Sequence, residues 1–182
     1  MVMEHTIDRG IGVAVPSHST IRLARESDYD TVWPILRDVI RAGDTYALDT
    51  QLSRDAVRDL WMDTPRASYV VEDEDGIIGT YYIKTNQQGG GAHVCNCGYV
   101  VAPFARGRGI AEMMCLHSQD EARGLGYLAM QFNSVVETNE AAIRLWEKLG
   151  FDTVGRLPRA FQHPEQGFVD ARVMYKWLGE AV

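Results

Sequence analysis

Two arginines alternate with two glycines just after a strand-like run, in the segment YVVAPFARGRGIAEMM from Tyr99 to Met114. A helix is predicted to begin there, and the first amides of a helix lack intrahelical acceptors. These amides also carry about half a positive charge through the helix dipole, so they bind anions. Gly107 and Gly109 let the backbone approach a bulky anion, and Arg106 and Arg108 can add charge-assisted hydrogen bonds. The segment therefore predicts a cradle for a diphosphate.

Other motifs that bind phosphates or nucleic acids fit this segment poorly. A Walker-type loop requires Lys and then Ser or Thr after its last glycine, whereas Ile110 and Ala111 follow here. The Rossmann pattern G-x-G-x-x-G is absent. A single RGRG flanked by apolar residues, in a chain with a net charge of -7, is not typical of an RNA-binding arginine-glycine tract. A helix start without a ligand is the remaining alternative.

The composition predicts one domain that binds neither nucleic acid nor membranes. The chain has 182 residues, 46% of them hydrophobic, with 18 Lys and Arg against 25 Asp and Glu. This acidic balance argues against nucleic acid, because nucleic-acid-binding proteins neutralise phosphates with basic surfaces. No apolar run approaches the ~20 residues that span a bilayer, and the first residues do not resemble a signal peptide. We therefore expect a cytoplasmic protein, and a symmetric homodimer is the default oligomer.

Hydrophobic periodicity predicts a mixed α/β sheet of about six to seven strands with helices on both faces. Residues 1–19 show no sustained pattern and are interpreted as an N-terminal tail or arm, and residues 20–182 as a single domain. The order is a strand from Ile21, two helices, three strands, a helix, a strand, a helix and two strands, Phe151 to Val154 and Phe168 to Trp177. The strand-helix-strand unit around the arginine-glycine segment predicts a parallel pair. Ligands bind at the carboxyl ends of such strands.

Prolines and capping residues in the sequence indicate where the helices begin. Pro34 predicts a distorted first turn or a late start for the first helix. Ser53 is expected to cap a second helix through Met62, and the third is expected from about Gly107 to Arg123. Thr138 or Asn139 caps the fourth.

Two motifs resemble those of the GNAT superfamily of acetyl-CoA-dependent acetyltransferases. The family signature is Arg or Gln, two residues, Gly, one residue, then Gly or Ala, and it fits Arg106, Gly109 and Ala111. The second motif is an Asn that opens a helix ending in Leu-Gly-Phe, which matches TNEAAIRLWEKLGF, Thr138 to Phe151. The resemblance covers roughly Ile21 to Trp177. It implies acetyl transfer to an amine with acetyl-CoA as co-substrate.

The resemblance also implies where acetyl-CoA binds. The expected cofactor-binding residues are Tyr99, Val100, Val101, Arg106, Gly107, Arg108, Gly109, Ile110, Ala111 and Asn139. The main-chain amides of Tyr99 to Val101 are expected to stabilise the oxyanion that forms when the amine attacks. Asn139 is expected to contact the pantetheine as well as to cap its helix.

Asparagines on the strands that flank the expected acetyl position are candidates for binding the acceptor. A side-chain amide can donate to a carboxylate and accept from an amine, so we expect Asn96 and Asn133 to bind the acceptor. Asn96 also belongs to the expected catalytic set, together with Tyr99 and Glu137.

The groups that transfer protons are less well defined. Many family members have a Tyr in the second motif that protonates the leaving thiolate, and Trp146 occupies the corresponding place here. An indole cannot donate that proton. Tyr99 or Tyr82 could substitute, or the thiolate could leave unprotonated, since its pKa is close to that of cysteine. Glu137 and His93 are the candidate bases.

His93, Cys95 and Cys97 alternate on one strand, but they do not predict a metal site. The chain has one further cysteine, Cys115, and no C-x-x-C pair, so we expect buried, reduced thiols and no metal.

A narrower resemblance concerns the acceptor. The segments GTYYIKTN, CNCGY, FNSVVETN and VDA (Val169 to Ala171) are similar to those of yeast N-acetyltransferases that act on azetidine-2-carboxylate, a proline analogue. This favours a small amine, an amino acid or a proline analogue, as the acceptor. A CoA-binding module without catalysis and a protein-lysine acetyltransferase are the alternatives.

Overall fold

The computed structural model describes residues 19–179 as a seven-stranded sheet packed against α-helices. The predicted tail, residues 1–19, lies outside the described residues except for Ser19. The strands are β1 (Thr20–Leu23), β2 (Ala67–Asp73), β3 (Gly76–Thr85), β4 (Val94–Val101), β5 (Ala129–Val136), β6 (Asp152–His163) and β7 (Gly167–Trp177). The α-helices are α1 (Tyr29–Ala42), α2 (Arg54–Arg58), α3 (Ile110–Gly124) and α4 (Glu140–Lys148).

The sheet order is β1-β2-β3-β4-β5-β7-β6, and neighbouring strands are antiparallel except for β4 and β5. These two strands are parallel and are connected through α3, which confirms the predicted crossover. Their pairing is limited to Val94 with Ala129 and Cys95 with Met130. Beyond these pairs the strands separate, and we call the space between them the β4–β5 gap.

The helices lie on both faces of the sheet, as predicted. Trp61, in a π-helical turn (Asp59–Asp63) that continues α2, donates from Nε1 to Thr80 Oγ1 at 3.1 Å. Tyr81, the next residue of β3, has its hydroxyl 2.6 Å from His117 Nδ1 on α3. Because successive side chains of a strand point to opposite faces, α2 and α3 cover opposite sides. No helix within residues 19–179 is long and apolar enough to cross a bilayer.

The helix boundaries follow local backbone chemistry. The Ser53 hydroxyl accepts from the amide of Ala56 at 3.2 Å and so caps α2, as predicted. A 3₁₀ turn (Glu26–Asp28) precedes α1, which fits the expected distortion at the start of the first helix, although Pro34 itself lies inside α1, beyond its first turn. The third helix starts later than expected, since Gly107 and Gly109 both have a φ of 76°, which no α-helix accommodates.

The final hairpin is longer than the sequence predicts. The expected strand Phe151 to Val154 is the beginning of β6, which continues to His163. Most of β6 is exposed, so its side chains show no alternation between apolar and polar residues. Pro158 within it is tolerated because β6 is an edge strand.

Candidate active site

The first turn of α3 offers unoccupied main-chain donors. Gly109 adopts a left-handed conformation at the N-cap, and no side chain caps the helix. Within residues 19–179, no acceptor is found for the amides from Gly107 to Glu112. Glycine at positions 107 and 109 permits the positive φ that turns these amides outward. The arrangement fits a phosphate group, which would supply the missing acceptors.

A cleft of about 250 Å³ lies against these amides. It is lined by Val101, Ala105, Arg106, Gly107, Gly109, Ile110, Ala111, Glu112 and Leu145. The cleft therefore joins the end of β4, the start of α3 and one side of α4. The Glu112 carboxylate would repel an anion, but it is neutralised by Lys148 Nζ at 2.7 Å.

The two arginines of the predicted cradle differ in their contacts. Arg108 Nη2 lies 2.6 Å from Asp73 Oδ2, which lowers the pKa of that carboxyl, so its guanidinium is held at the β2–β3 turn. Arg106 is exposed and lines the cleft, and no carboxylate within residues 19–179 pairs with it. Arg106 is thus the side chain free to contact a diphosphate, whereas Arg108 can contribute its main-chain amide.

A tyrosine that the sequence analysis missed occupies the β4–β5 gap. Tyr46, from the segment between α1 and α2, accepts from the amide of Tyr99 at 2.9 Å and donates to the carbonyl of the same residue at 2.8 Å. These two backbone groups face away from β3 and towards β5, where the parallel ladder has already ended. The Tyr99 amide, expected to stabilise the oxyanion directly, already has a partner.

Backbone groups of successive residues in β4 point to opposite neighbouring strands, so the amides of Val100 and Val101, the other two expected donors, face in opposite directions. Because the Tyr99 backbone faces the gap, the next residue, Val100, faces β3 instead, and the amide of Ala102 donates to Ile78 of β3 at 2.8 Å. The structure therefore does not support a cofactor contact by the Val100 amide. The amide of Val101 faces the gap, consistent with the prediction.

Asn96 lies where β4 and β5 separate. Its side chain is buried, and Nδ2 donates to the carbonyl of Gln131 at 2.9 Å, while Oδ1 accepts from the Tyr82 hydroxyl at 3.3 Å. The Gln131 carbonyl lies just past the last β4–β5 pair, so Asn96 supplies a partner that the ladder no longer provides. Asn96 thus bridges the separating strands and retains one N–H for a ligand.

Asn133 is exposed, close to the irregularity that interrupts β5 between Phe132 and Val135. Its Oδ1 accepts from Gln131 Nε2 at 2.8 Å, and its Nδ2 donates to Asn86 Oδ1 at 2.7 Å. Asn96 and Asn133 do not touch, but both connect to Gln131. The structure thus brings both predicted residues to the same edge of the gap.

Lys84 is a further residue that the sequence analysis missed. It is paired across the strands with Asn96, and its ammonium lies 5.2 Å from the centre of the Tyr82 ring. No carboxylate within residues 19–179 pairs with this half-buried cation. The alternation of Tyr82 and Lys84 along β3 was the available signal, because it places both on the face of Asn96.

Aromatic rings form a wall on this side of the sheet. The Trp61 ring packs edge-on against Tyr46 and Tyr82, with centroid distances of 5.9 Å and 4.8 Å. Gly98 lies directly beneath Tyr82, since a Cβ there would come within 2.7 Å of the ring. The wall, Lys84, Asn96 and Asn133 together form what we call the acceptor side of the gap.

The tyrosine and tryptophan on the other face do not form a proton donor. The Tyr99 hydroxyl is 2.7 Å from Ser118 Oγ on α3, and burial raises its pKa well above the usual value. The proposed acid role for the Tyr99 side chain is therefore not supported. Trp146 packs against Tyr99 and Phe132, with centroid distances of 5.2 Å and 5.0 Å, so it is part of the core.

The two candidate bases are poorly placed. Arg172 binds both oxygens of Glu137, at 2.7 Å and 2.9 Å, and this contact lowers the pKa of the carboxyl. A carboxylate stabilised in this way is a poor proton acceptor, so the expected role for Glu137 is not supported. His93 is exposed before the start of β4, and its ring packs edge-on against Trp177.

Asn139 caps α4, because its Oδ1 accepts from the amide of Ala142 at 3.2 Å. A larger depression of about 410 Å³ lies nearby, between the start of α4 and the β6–β7 hairpin. Its charged residues are already paired, as in the contact between Arg156 and Asp170 at 2.6 Å. We therefore place the ligand in the cleft at α3 and not in this depression. The pantetheine contact of Asn139 stays a prediction.

The cysteines are free and buried. No group of three or more potential metal ligands occurs among residues 19–179.

Comparisons with known proteins agree with this geometry. The sequence model of the Acetyltransferase (GNAT) family matches residues 33–151. The N-acetyltransferase aca1 of Schizosaccharomyces pombe is 27% identical over 180 residues, which cover 88% of this chain and 85% of aca1.

Solved structures show the same fold. A GCN5-related N-acetyltransferase from Kribbella flavida is 40% identical, with a TM-score of 0.84 over 89% of this chain and 99% of the other. A phosphinothricin acetyltransferase from Sinorhizobium meliloti, in complex with AcCoA, is 23% identical, with a TM-score of 0.79 and coverage of 91% of both chains. The chain belongs to the GNAT family of acetyltransferases and is an N-acetyltransferase that uses acetyl-CoA as co-substrate.

Proposed function

We propose that the acceptor is the amine of a small molecule that also carries a carboxylate, such as an amino acid or a proline analogue. The observation that carries this proposal is the Lys84 ammonium, half-buried beside Asn96 and without a carboxylate partner within residues 19–179. An ammonium without a carboxylate partner can form a charge-assisted hydrogen bond to an anion, so this position favours an anionic ligand. The Trp61 and Tyr82 rings beside it suit the apolar part of a small acceptor.

One group of residues, at the start of α3 and the end of β4, binds acetyl-CoA, and another, on the acceptor side of the gap, binds the amine. The amides at the start of α3 and the Arg106 guanidinium bind the diphosphate, and the Val101 amide binds the pantetheine. Acetyl-CoA supplies an activated acyl group: the neutral amine nitrogen bonds to the carbonyl carbon, the C–S bond breaks with its electron pair leaving on sulfur as a thiolate, and the acylated nitrogen releases its extra proton to solvent. Lys84 holds the carboxylate, and the free N–H of Asn96 orients the acceptor.

Proton transfer in this proposal does not use Glu137, because Arg172 stabilises its ionised form. A coenzyme A thiol has a pKa close to that of cysteine and leaves as thiolate without an acid. Because Glu137 does not act as the base, the acceptor amine binds in its neutral form or loses its ammonium proton to solvent before it attacks. We expect the rate to rise with pH as the acceptor amine is deprotonated.

Release of the coenzyme A thiol, measured with amino acids and with their carboxamides, tests the acceptor class. We expect turnover of amino acids and at least about tenfold lower kcat/KM for the matched carboxamides. Lys84→Met keeps the length of the side chain and removes its charge. It should lower kcat/KM for the amino acid and leave kcat/KM for the carboxamide unchanged.

Other outcomes would assign a different function. Equal turnover of amino acid and carboxamide would contradict the carboxylate site. Turnover of lysine-containing peptides alone would favour a protein acceptor, and binding without any turnover would favour a non-catalytic module. The homodimer and the cytoplasmic location stay predictions.

A further inference from the structure

The Tyr46 hydroxyl has two hydrogen bonds to one residue of the strand that borders the gap. It accepts from the Tyr99 amide at 2.9 Å and donates to the Tyr99 carbonyl at 2.8 Å. In a complete sheet, these backbone groups would bond to a neighbouring strand. Here β5 has already separated from β4, and a side chain from the α1–α2 segment takes its place. The hydroxyl therefore lies in the β4–β5 gap, between the acceptor side and the backbone of β4.

The ring of Tyr46 holds the hydroxyl in this position. It packs edge-on against Trp61 at 5.9 Å, and Trp61 is itself fixed by its bond to Thr80. Burial raises the pKa of Tyr46 far above the usual value for a phenol. The group thus keeps its proton at neutral pH and remains a hydrogen-bond donor.

The other aromatic side chains near the gap have partners other than the Tyr99 backbone groups that face it. The Tyr99 hydroxyl is bonded to Ser118 on the α3 side, and the Tyr82 hydroxyl donates to Asn96. The Trp146 indole is packed among the rings of Tyr99 and Phe132. Tyr46 is the tyrosine whose hydroxyl bonds to the Tyr99 amide and carbonyl, the backbone groups that face the gap.

We propose that Tyr46 is a catalytic residue whose hydroxyl donates a hydrogen bond to the acetyl carbonyl oxygen and stabilises the negative charge that develops there. The hydroxyl continues to accept from the Tyr99 amide and turns its own O–H from the Tyr99 carbonyl to the acetyl oxygen. No covalent bond changes at Tyr46. The Tyr99 amide then acts through the phenol, because an O–H that accepts a hydrogen bond is a better donor. This inference rests on the acetyl transfer described above.

Tyr46→Phe tests the role because it keeps the ring against Trp61 and removes only the hydroxyl. We expect kcat to fall about a hundredfold to a thousandfold, as for the loss of one oxyanion donor. The dissociation constant for free coenzyme A, measured by calorimetry, should stay within about twofold, since that ligand has no acetyl group. Tyr69→Phe is the matched control, because the Tyr69 hydroxyl bonds to Glu121 on the opposite face. It should leave kcat unchanged.

Infrared spectra of bound acetyl-CoA with a ¹³C-labelled carbonyl provide a readout that needs no turnover. A hydrogen bond lowers the carbonyl stretching frequency, so the band should lie lower in the wild-type complex than in the Tyr46→Phe complex. Circular dichroism and the melting temperature of each variant show whether it has folded.

The outcomes separate this inference from the proposed acceptor. Unchanged kcat and an unchanged carbonyl band in Tyr46→Phe would overturn the inference, even if amino acids are acetylated. Tighter binding of coenzyme A to the variant, with kcat retained, would instead show that the hydroxyl competes with the cofactor. If no small amine is acetylated, the carbonyl band of the bound cofactor still decides the role of Tyr46.

Discussion

The two regions proposed to bind ligands in this enzyme are built from different parts of the chain. At the start of α3 the donors are main-chain amides without protein partners, and Arg106 is unpaired within residues 19–179. On the acceptor side of the gap the groups are side chains that already bond to one another. Tyr82 donates to Asn96, and Gln131 connects to Asn133.

The difference indicates how each region recognises its ligand. Backbone amides depend on chain conformation and not on residue identity, so the diphosphate cradle tolerates many sequences provided that its glycines permit the turn. A network of side chains changes with each substitution, so it can specify an acceptor. Substitutions in the two regions should therefore affect different kinetic constants.

The largest expected effect is at Gly109, the N-cap of α3. Gly109→Asp places a negative charge beside the diphosphate, and we expect it to weaken acetyl-CoA binding by about a hundredfold or more. Gly109→Asn is the matched control, because Asn has the same size and tolerates a positive φ without adding a charge. It should weaken binding by about tenfold or less. Calorimetry measures both, and equal losses in the two variants would contradict the anion cradle.

The two arginines of the cradle should respond differently to removal. Arg106→Ala should weaken acetyl-CoA binding by about tenfold, since a charge-assisted hydrogen bond is lost. The difference in acetyl-CoA affinity between the wild type and Arg106→Ala should become smaller at high salt. Arg108→Ala should change the dissociation constant for acetyl-CoA by less than about threefold, since it removes only a solvent-screened charge near the ligand. It should lower the melting temperature, because Asp73 loses its partner. Equal losses of affinity would show that Arg108 leaves Asp73 and contacts the ligand.

The smallest expected effect is at Asn133 on the acceptor side. Asn133→Ala should raise the apparent KM for the amine by about fivefold to tenfold, as expected for one or two lost hydrogen bonds. The KM for acetyl-CoA should stay within about twofold. Asn86→Ala is the control, because it removes a hydrogen-bond partner of Asn133 and leaves Asn133 in place. Equal changes in both KM values for Asn133→Ala would contradict its assignment to the acceptor.

The sequence predicts most of the fold where one side of an element is buried. α4 shows apolar spacing and an Asn139 cap, and the β2–β3 hairpin has a clear turn, so both were predicted correctly. The outer part of β6 could not be predicted, because its exposed residues carry no periodic signal. The first helix does begin with a 3₁₀ turn, but Pro34 lies further along, inside α1, and does not end the helix.

The parts of the candidate site that lie within one short segment were the ones the sequence could point to. The α3 cradle lies within one short segment, so its glycines and Arg106 could be identified from spacing. Tyr46 lies 53 residues from Tyr99, and its contact with that backbone depends on the packing of the α1–α2 segment against the sheet. The occupied amide of Tyr99 and the pairing of Glu137 with Arg172 likewise require tertiary structure.

The short ladder between β4 and β5 has a mechanical consequence. Strands β1 to β4 and strands β5 to β7 form two half-sheets, and the ladder between β4 and β5 is limited to two pairs at the start of β4, next to the hydrogen bond from the Leu128 amide to the His93 carbonyl. In the proposed function, acetyl-CoA lies between these half-sheets, where it could bond to the Val101 amide that β5 leaves without a partner. On this proposal we expect cofactor binding to join the two half-sheets and to raise the melting temperature of the enzyme.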